Sequence, residues 1–150
     1  MDLIIRKISE RDIESLFSLL SDEDVMRYIE PAFTREKAQE FLMSAGLSEE
    51  PLIYAVDNDS AFVGYVIFHA FDEDSIEIGW VLHKRFWGKG YAQNLTKMLI
   101  DKAFSLEKDV IIEHSTEQEA TKHIAIKFGF TYLGRFDNLD RYCLKYKDRL

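Results

Sequence analysis

The chain has 150 residues, of which 47% are hydrophobic and 31% charged, with only 7 Gly and 2 Pro. That length and balance predict one globular domain over 1–150 and exclude a disordered or linker-rich chain. A formal net charge of −8 lacks the basic footprint that nucleic acid requires and favours cationic small molecules or basic peptides as partners.

Met1 to Arg6 shows no basic stretch leading into an apolar one, so no secretory signal is expected. Leu3 to Ile8 reads as a first strand. Ser9-Glu10-Arg11-Asp12 has the form of a capping box, and Ile13, Leu16, Phe17 and Leu20 follow at helical spacing. Ser21 to Asp24 repeats the start signal, predicting a short helix to about Ile29 that Pro31 ends. Thr34 opens a third helix with Ala38, Phe41, Leu42 and Ala45 on its apolar face and Gly46 as its stop.

From Leu52 the period changes to that of strands. Leu52 to Val56 is one, Asp57-Asn58-Asp59-Ser60 a turn, and Ala61 to Phe68 a strand apolar on both parities, as a buried central strand is. The apolar run Ala61 to Phe71 contains Gly64 and His69 and is too short to span a membrane. Ile76, Ile78, Trp80 and Leu82 alternate with Glu77, Gly79 and Val81 in the next strand. A glycine-bearing loop, Lys84 to Gly90, leads into a helix from about Tyr91 to Ser105. Val110 to Glu113 is a strand. Thr116 and Glu119 form a second capping box for a helix to Phe128, and Gly129 ends it. Phe130 to Phe136 and Arg141 to Tyr146 close the chain as two strands around the turn Asp137 to Asp140. Cys143, alone of its kind, can form no internal disulfide; it fits a reducing cytoplasm and reads as a buried structural thiol. The order predicts a mixed α/β domain with a central sheet of about six to seven strands flanked by helices.

The chemistry is concentrated between Ile76 and Ser105. Gly88 and Gly90, just ahead of a helix, allow a tight turn and close approach of a ligand. The first helical N–H groups have no internal partner and the dipole is positive there, so the end suits a pyrophosphate. Lys84, Arg85 and Lys89 add positive charge in an acidic chain. A nucleotide-hydrolysing P-loop is excluded, because Gly-x-x-x-x-Gly-Lys-Ser/Thr is absent, and position 93 is Gln93 rather than the third glycine of a dinucleotide fingerprint.

Arg85-Phe86-Trp87-Gly88-Lys89-Gly90-Tyr91-Ala92 resembles the acyl-CoA pyrophosphate loop of the GNAT superfamily of N-acetyltransferases. Glu77-Ile78-Gly79-Trp80-Val81-Leu82, Leu20 to Tyr28 and Ile124-Ala125-Ile126-Lys127-Phe128-Gly129-Phe130 are similar to the branch that acetylates ribosomal-protein N-termini (the RimJ/RimL-like branch). The resemblance implies the GNAT fold and acetyl-CoA as co-substrate. It implies that backbone at Val81 and Leu82 pairs with the pantetheine arm, that Arg85, Phe86, Trp87, Gly88, Lys89, Gly90, Tyr91 and Ala92 hold the pyrophosphate, and that Gln118 stands where relatives often carry a coenzyme-contacting Asn. Thr121 stands where a Ser is usual. Ala125 occupies the place of a tyrosine acid, so no such acid acts from that position.

The acceptor amine must be neutral to attack. At about pH 7 deprotonation costs roughly 4.6 kcal/mol for a lysine and about 1.4 kcal/mol for an α-amine. Glu77, on the polar parity of its strand, is the first candidate base and Asp74 the reserve; an ordinary half-exposed strand carboxylate is the alternative for Glu77. His114, ending the strand before the closing helix, is a second catalytic candidate. His83 and His123 read as surface or packing histidines and His69 as a strand residue near a turn. Tyr28 is either a groove-lining or a core aromatic. Asp, Glu, His and Cys show no metal-ligand spacing, so no metal is expected. These residues describe an N-acetyltransferase acting on a protein α-amine or small-molecule amine, as a monomer or homodimer. A catalytically silent acyl-CoA-binding or interaction module is the competing reading, and transfer of a longer acyl group a third.

Overall fold

The computed structural model describes residues 2–59 and 61–149. Met1, Ser60 of the expected 57–60 turn and Leu150 lie outside them. Seven strands form one sheet in the order β1-β2-β3-β4-β5-β7-β6. They are β1 (Ile4–Arg6), β2 (Ile53–Asp57), β3 (Phe62–Ala70), β4 (Ser75–Leu82), β5 (Asp109–Ser115), β6 (Thr131–Phe136) and β7 (Leu139–Leu144). Every neighbouring pair is antiparallel except β4 with β5.

Two apolar clusters cover the two faces. The helices α1 (Ile13–Leu20), α2 (Glu23–Met26) and α3 (Arg35–Phe41) bury Leu16, Leu19, Leu20, Met26 and Ala38 against Ile53, Ala55, Tyr65 and Val81. The helices α4 (Tyr91–Ser105) and α5 (Glu119–Lys127) place Leu95, Leu99, Ala103 and Ala125 against Ile76, Ile78, Leu82 and Ile112. The strict alternation of β4 therefore sends its odd residues towards α1–α3 and its even residues towards α4 and α5.

Local chemistry explains the element ends. The Asp12 carboxylate accepts from the Ser9 N–H at 2.7 Å, completing one half of the expected capping box. Thr34 Oγ1 accepts from the Lys37 N–H at 3.1 Å, as its position required. The second helix is shorter than expected: Asp22 caps it, and the Ile29 N–H bonds to Met26 O in a tight turn that ends it at Met26. No Thr116 cap forms. Gln118 precedes α5, and its Oε1 accepts from the Ser115 N–H at 3.1 Å, folding the chain back onto the end of β5. The β6–β7 turn is Asp137-Asn138 alone, with φ of 50° and 67°. A two-residue turn with both centres left-handed matches strand twist, so Leu139 and Asp140 join the strand.

Candidate functional site

The parallel pair is short. Only Ser75–Glu77 pair with Asp109–Ile111, although β4 runs on to Leu82 and β5 to Ser115. Beyond Glu77 the strands part, while β3 holds β4 up to Leu82 and β7 holds β5 up to Ser115. The gap is a cleft of about 250 Å³ through the sheet. Its edge polarity follows from the hydrogen bonds: the His83 N–H donates to Val63 O and the Phe71 N–H to Ser75 O, so odd β4 residues direct their amides to β3. Val81 O faces Gly64, where an added Cβ would stand 2.1 Å from it. The backbone polar groups of Val81, expected to pair with the pantetheine arm, are directed to β3 in this sheet. Trp80 and Leu82 direct theirs to the cleft edge, and Leu82 O accepts from Trp87 Nε1 at 2.9 Å.

Glu77 and His114 both line this cleft, with Gly79, Trp80, Val81, Gln118 and Thr121. They approach it from opposite faces. Glu77 shares the α1–α3 side with Glu113, since Ile111 is its register partner; His114 shares the α4/α5 side with Ile112. The Glu77 carboxylate is 21% exposed, and its Oε1 lies 3.7 Å from His69 Nε2. Burial pushes its pKa above the usual carboxylate range; His69 and Arg141 oppose the rise and Glu113 adds to it. His114 is 4% exposed. Its Nδ1 donates to Ser115 O at 2.7 Å, the ring stacks on Tyr142 at 5.3 Å, and Nε2 has no hydrogen-bond partner among the described residues. The imidazole thus presents a lone pair at Nε2. Asp74, the reserve base, does not line the cleft; its carbonyl receives the Asp109 N–H where β4 and β5 begin to pair.

The loop after β4 holds its shape by packing. Phe86 is buried and stacks on Tyr91 at 5.7 Å, anchoring a turn in which Gly88 and Gly90 adopt φ of 73° and 80°. Gly90 is the N-cap of α4, so the N–H groups of Tyr91, Ala92 and Gln93 open the helix without helical acceptors. The three basic residues divide. Lys84 is tied to Asp24 at 2.5 Å, while Arg85, lying over the Phe86 ring, and Lys89 have no carboxylate partner among the described residues. Arg85 to Ala92 lie outside the lining of the cleft proper and follow directly on the strand that forms its wall.

The model of the acetyltransferase (GNAT) domain family matches residues 2–131. The chain belongs to the GNAT family. It is 30% identical over 105 residues to an uncharacterized N-acetyltransferase, YnaD, of Bacillus subtilis, a match covering 68% of this chain and 62% of YnaD. A GNAT-family acetyltransferase from Bacillus anthracis superposes with a TM-score of 0.86 at 25% identity, over 99% of this chain and 97% of that one. Spermidine N-acetyltransferase from Vibrio cholerae, solved with CoA and spermine, gives 0.80 at 20% identity over 97% and 98%. At that identity it speaks for the GNAT fold alone.

Within this GNAT domain several residues depart from what the sequence made visible. Ala125 is fully buried, and the α5 hydroxyl that lines the cleft is Thr121, one turn earlier. Tyr28 is 39% exposed and, with Ile29 and Ser115, lines both the cleft and an outer groove of about 610 Å³ bordered by Glu23, Arg27, Glu30 and Glu117. Glu113 and Trp80 line the cleft without having been singled out. Strand parity held the signal for Glu113, which falls two residues after the β5 partner of Glu77. His83 packs against Ser18 Oγ at 3.3 Å, His123 is exposed, and Cys143 is buried with its thiol pKa pushed up by burial. Among the described residues no group of three His, Cys, Asp or Glu can hold a metal, and no helix is long and apolar enough to cross a membrane.

Proposed function

We propose that the chain binds acetyl-CoA along the β4/β5 cleft and transfers the acetyl group to a primary amine entering from the α1–α3 side. The observation that carries this reading is the parting of β4 and β5 after Glu77, immediately ahead of a helix start bared by Gly88 and Gly90. The residues fit the coenzyme. Trp80 and Leu82 offer edge amides to an extended amide-bearing arm. The opening N–H groups of α4, with Arg85 and Lys89, offer an anion site for the pyrophosphate. Gln118, just ahead of α5, and Thr121 within it present polar groups to the cleft. Bound acetyl-CoA supplies a thioester carbonyl carbon and a thiolate leaving group.

Glu77 takes one proton from the incoming ammonium, the freed nitrogen lone pair attacks the thioester carbonyl carbon to form the C–N bond, and as the C–S bond breaks the departing thiolate takes the second proton from that nitrogen, leaving the amide and free CoA. A carboxylate whose pKa is raised is a stronger base than an ordinary one. His114, on the other face of the cleft, does not compete with Glu77 for that proton. A thiol has a pKa of about 8.5, so its thiolate departs without a strong acid, which suits a site with Ala125 in place of a tyrosine. A protein α-amine is the acceptor that asks least of Glu77; a small-molecule amine fits the same route. Buried Ala125 is also what favours a silent acyl-CoA-binding module, and release of free CoA from acetyl-CoA over a panel of amines and peptides separates the two readings.

A further inference from the structure

Glu77 and Glu113 are two carboxylates on one face of one cleft, and their surroundings differ. Glu113 stands directly across from Arg141 on β7, whose Nε donates to Glu113 Oε2 at 2.7 Å. Both side chains are largely buried, at 14% and 23% exposed. Arg141 is held on two further sides. Its guanidinium carbon lies 3.9 Å from the centre of the Phe136 ring and 4.9 Å from that of Phe71, which sits in the β3–β4 turn at the root of the Glu77 strand. The fork is therefore fixed in place between the β5 carboxylate and the base of β4. Glu77 has no such partner. The titratable and charged groups that face it are His69 from β3, Glu113 from β5 and Arg141 from β7, with Tyr65 and Tyr28 also lining the cleft.

The geometry points to Arg141 as a positioning residue that holds Glu113 in a fixed ion pair and so leaves Glu77, which no arginine or lysine pairs among the described residues, as the carboxylate of the cleft that exchanges a proton. Two carboxylates in one site take different roles when their environments differ in this way. The paired one is a fixed negative charge beside the amine route, and it also makes the unpaired one harder to ionise. This assignment rests on Glu77 acting as the base, but the division of charge can be measured without turnover.

The experiment is a carbon-13 titration of the side-chain carboxyls in the full chain labelled with [13C]glutamate, with Glu77 and Glu113 assigned by the resonances that E77Q and E113Q remove. E113Q removes a like charge and releases the Arg141 charge, so the Glu77 midpoint should fall by about one unit; R141Q removes the opposing charge and should raise it by a similar amount. R141K, which keeps the charge, should restore most of the wild-type value. Because R141Q strips a packed side chain and can unfold the sheet edge, E113Q is the second arm, with the opposite expected sign. H69Q, carried through the same titration, separates the contribution of His69. Midpoints of Glu77 that stay in place in both E113Q and R141Q would overturn the inference. A low-pH limb of turnover that persists in E77Q would instead remove the base reading beneath it, while shifted midpoints would still stand as the division of charge.

Discussion

Glu77 owes its character to position. It is the last β4 residue paired to β5 and points to the face where β3 contributes His69 and β5 contributes Glu113. If it relays the acceptor proton, Glu77→Gln should lower turnover by about 10² to 10⁴ at pH 7 while leaving acetyl-CoA affinity unchanged. The sign of the pH dependence follows from the raised pKa: the carboxylate form is lost earlier than for an ordinary Glu as pH falls, so wild-type turnover should drop on the acid side. The mutant should recover relative to wild type as pH approaches that of the free amine. Steady-state rates at pH 7 and pH 9 test this, and a deficit equally deep at both would assign Glu77 a structural role. Polar parity alone made Glu77 legible. The sequence held no sign that His114 sits on the other face, because which side of a sheet a residue meets depends on strand pairing, and β5 pairs with β7 at a separation of 28 positions (Glu113 to Arg141).

The strand-loop-helix from β4 to α4 was the most legible element, and the structure adds the reason for its glycines. Gly88 and Gly90 both hold left-handed φ, and no atom stands within 4 Å of a Cβ added at either. Gly90→Val should thus cost about 1 to 2 kcal/mol of stability through backbone strain, with no clash within the protein. It should also weaken CoA binding by well over tenfold, because the new side chain enters the ligand's space. Calorimetry showing unchanged affinity would contradict the loop's assigned role. At the other edge, Arg6 ties β1 to both Asp12, ahead of α1, and Asp57 of β2, at 2.7 and 2.6 Å. Burial works to raise the Asp12 carboxyl, but the Arg6 fork and the Ser9 N–H outweigh it and hold it below the usual range. A depressed carboxyl stabilises the fold above its unfolded pKa of about 3.9 and ceases to do so as pH falls through the folded value. Arg6→Met should accordingly lose about 2 kcal/mol at pH 7, and the loss should shrink as pH falls below about 3.9, read by urea unfolding across that range. This three-residue tie was invisible beforehand, since its members are separated by up to 51 positions.

Element order, the count of strands and the helix at Tyr91–Ser105 could be read from periodicity, because each strand or helix writes its own period into the chain. The cleft could not, because it is made by strands that stop pairing, and nothing in the local pattern of Ile78–Leu82 differs from that of a fully paired strand. The placement of charge was likewise only half legible. Of the three cations near the coenzyme loop, Lys84 is spent on Asp24, a contact across 60 positions. The net charge of −8 leaves the α4 start as a local positive site on an acidic surface, which suits an anionic coenzyme together with the proposed amine acceptor. The measurement that tests this most directly is release of free CoA thiol from acetyl-CoA, with each of a panel of α-amine peptides and small primary amines, by wild type and Glu77→Gln side by side. The account predicts amine-dependent release by wild type that falls at least about a hundredfold in the mutant at pH 7; acetyl-CoA bound with no amine-dependent release from any member of the panel would contradict it.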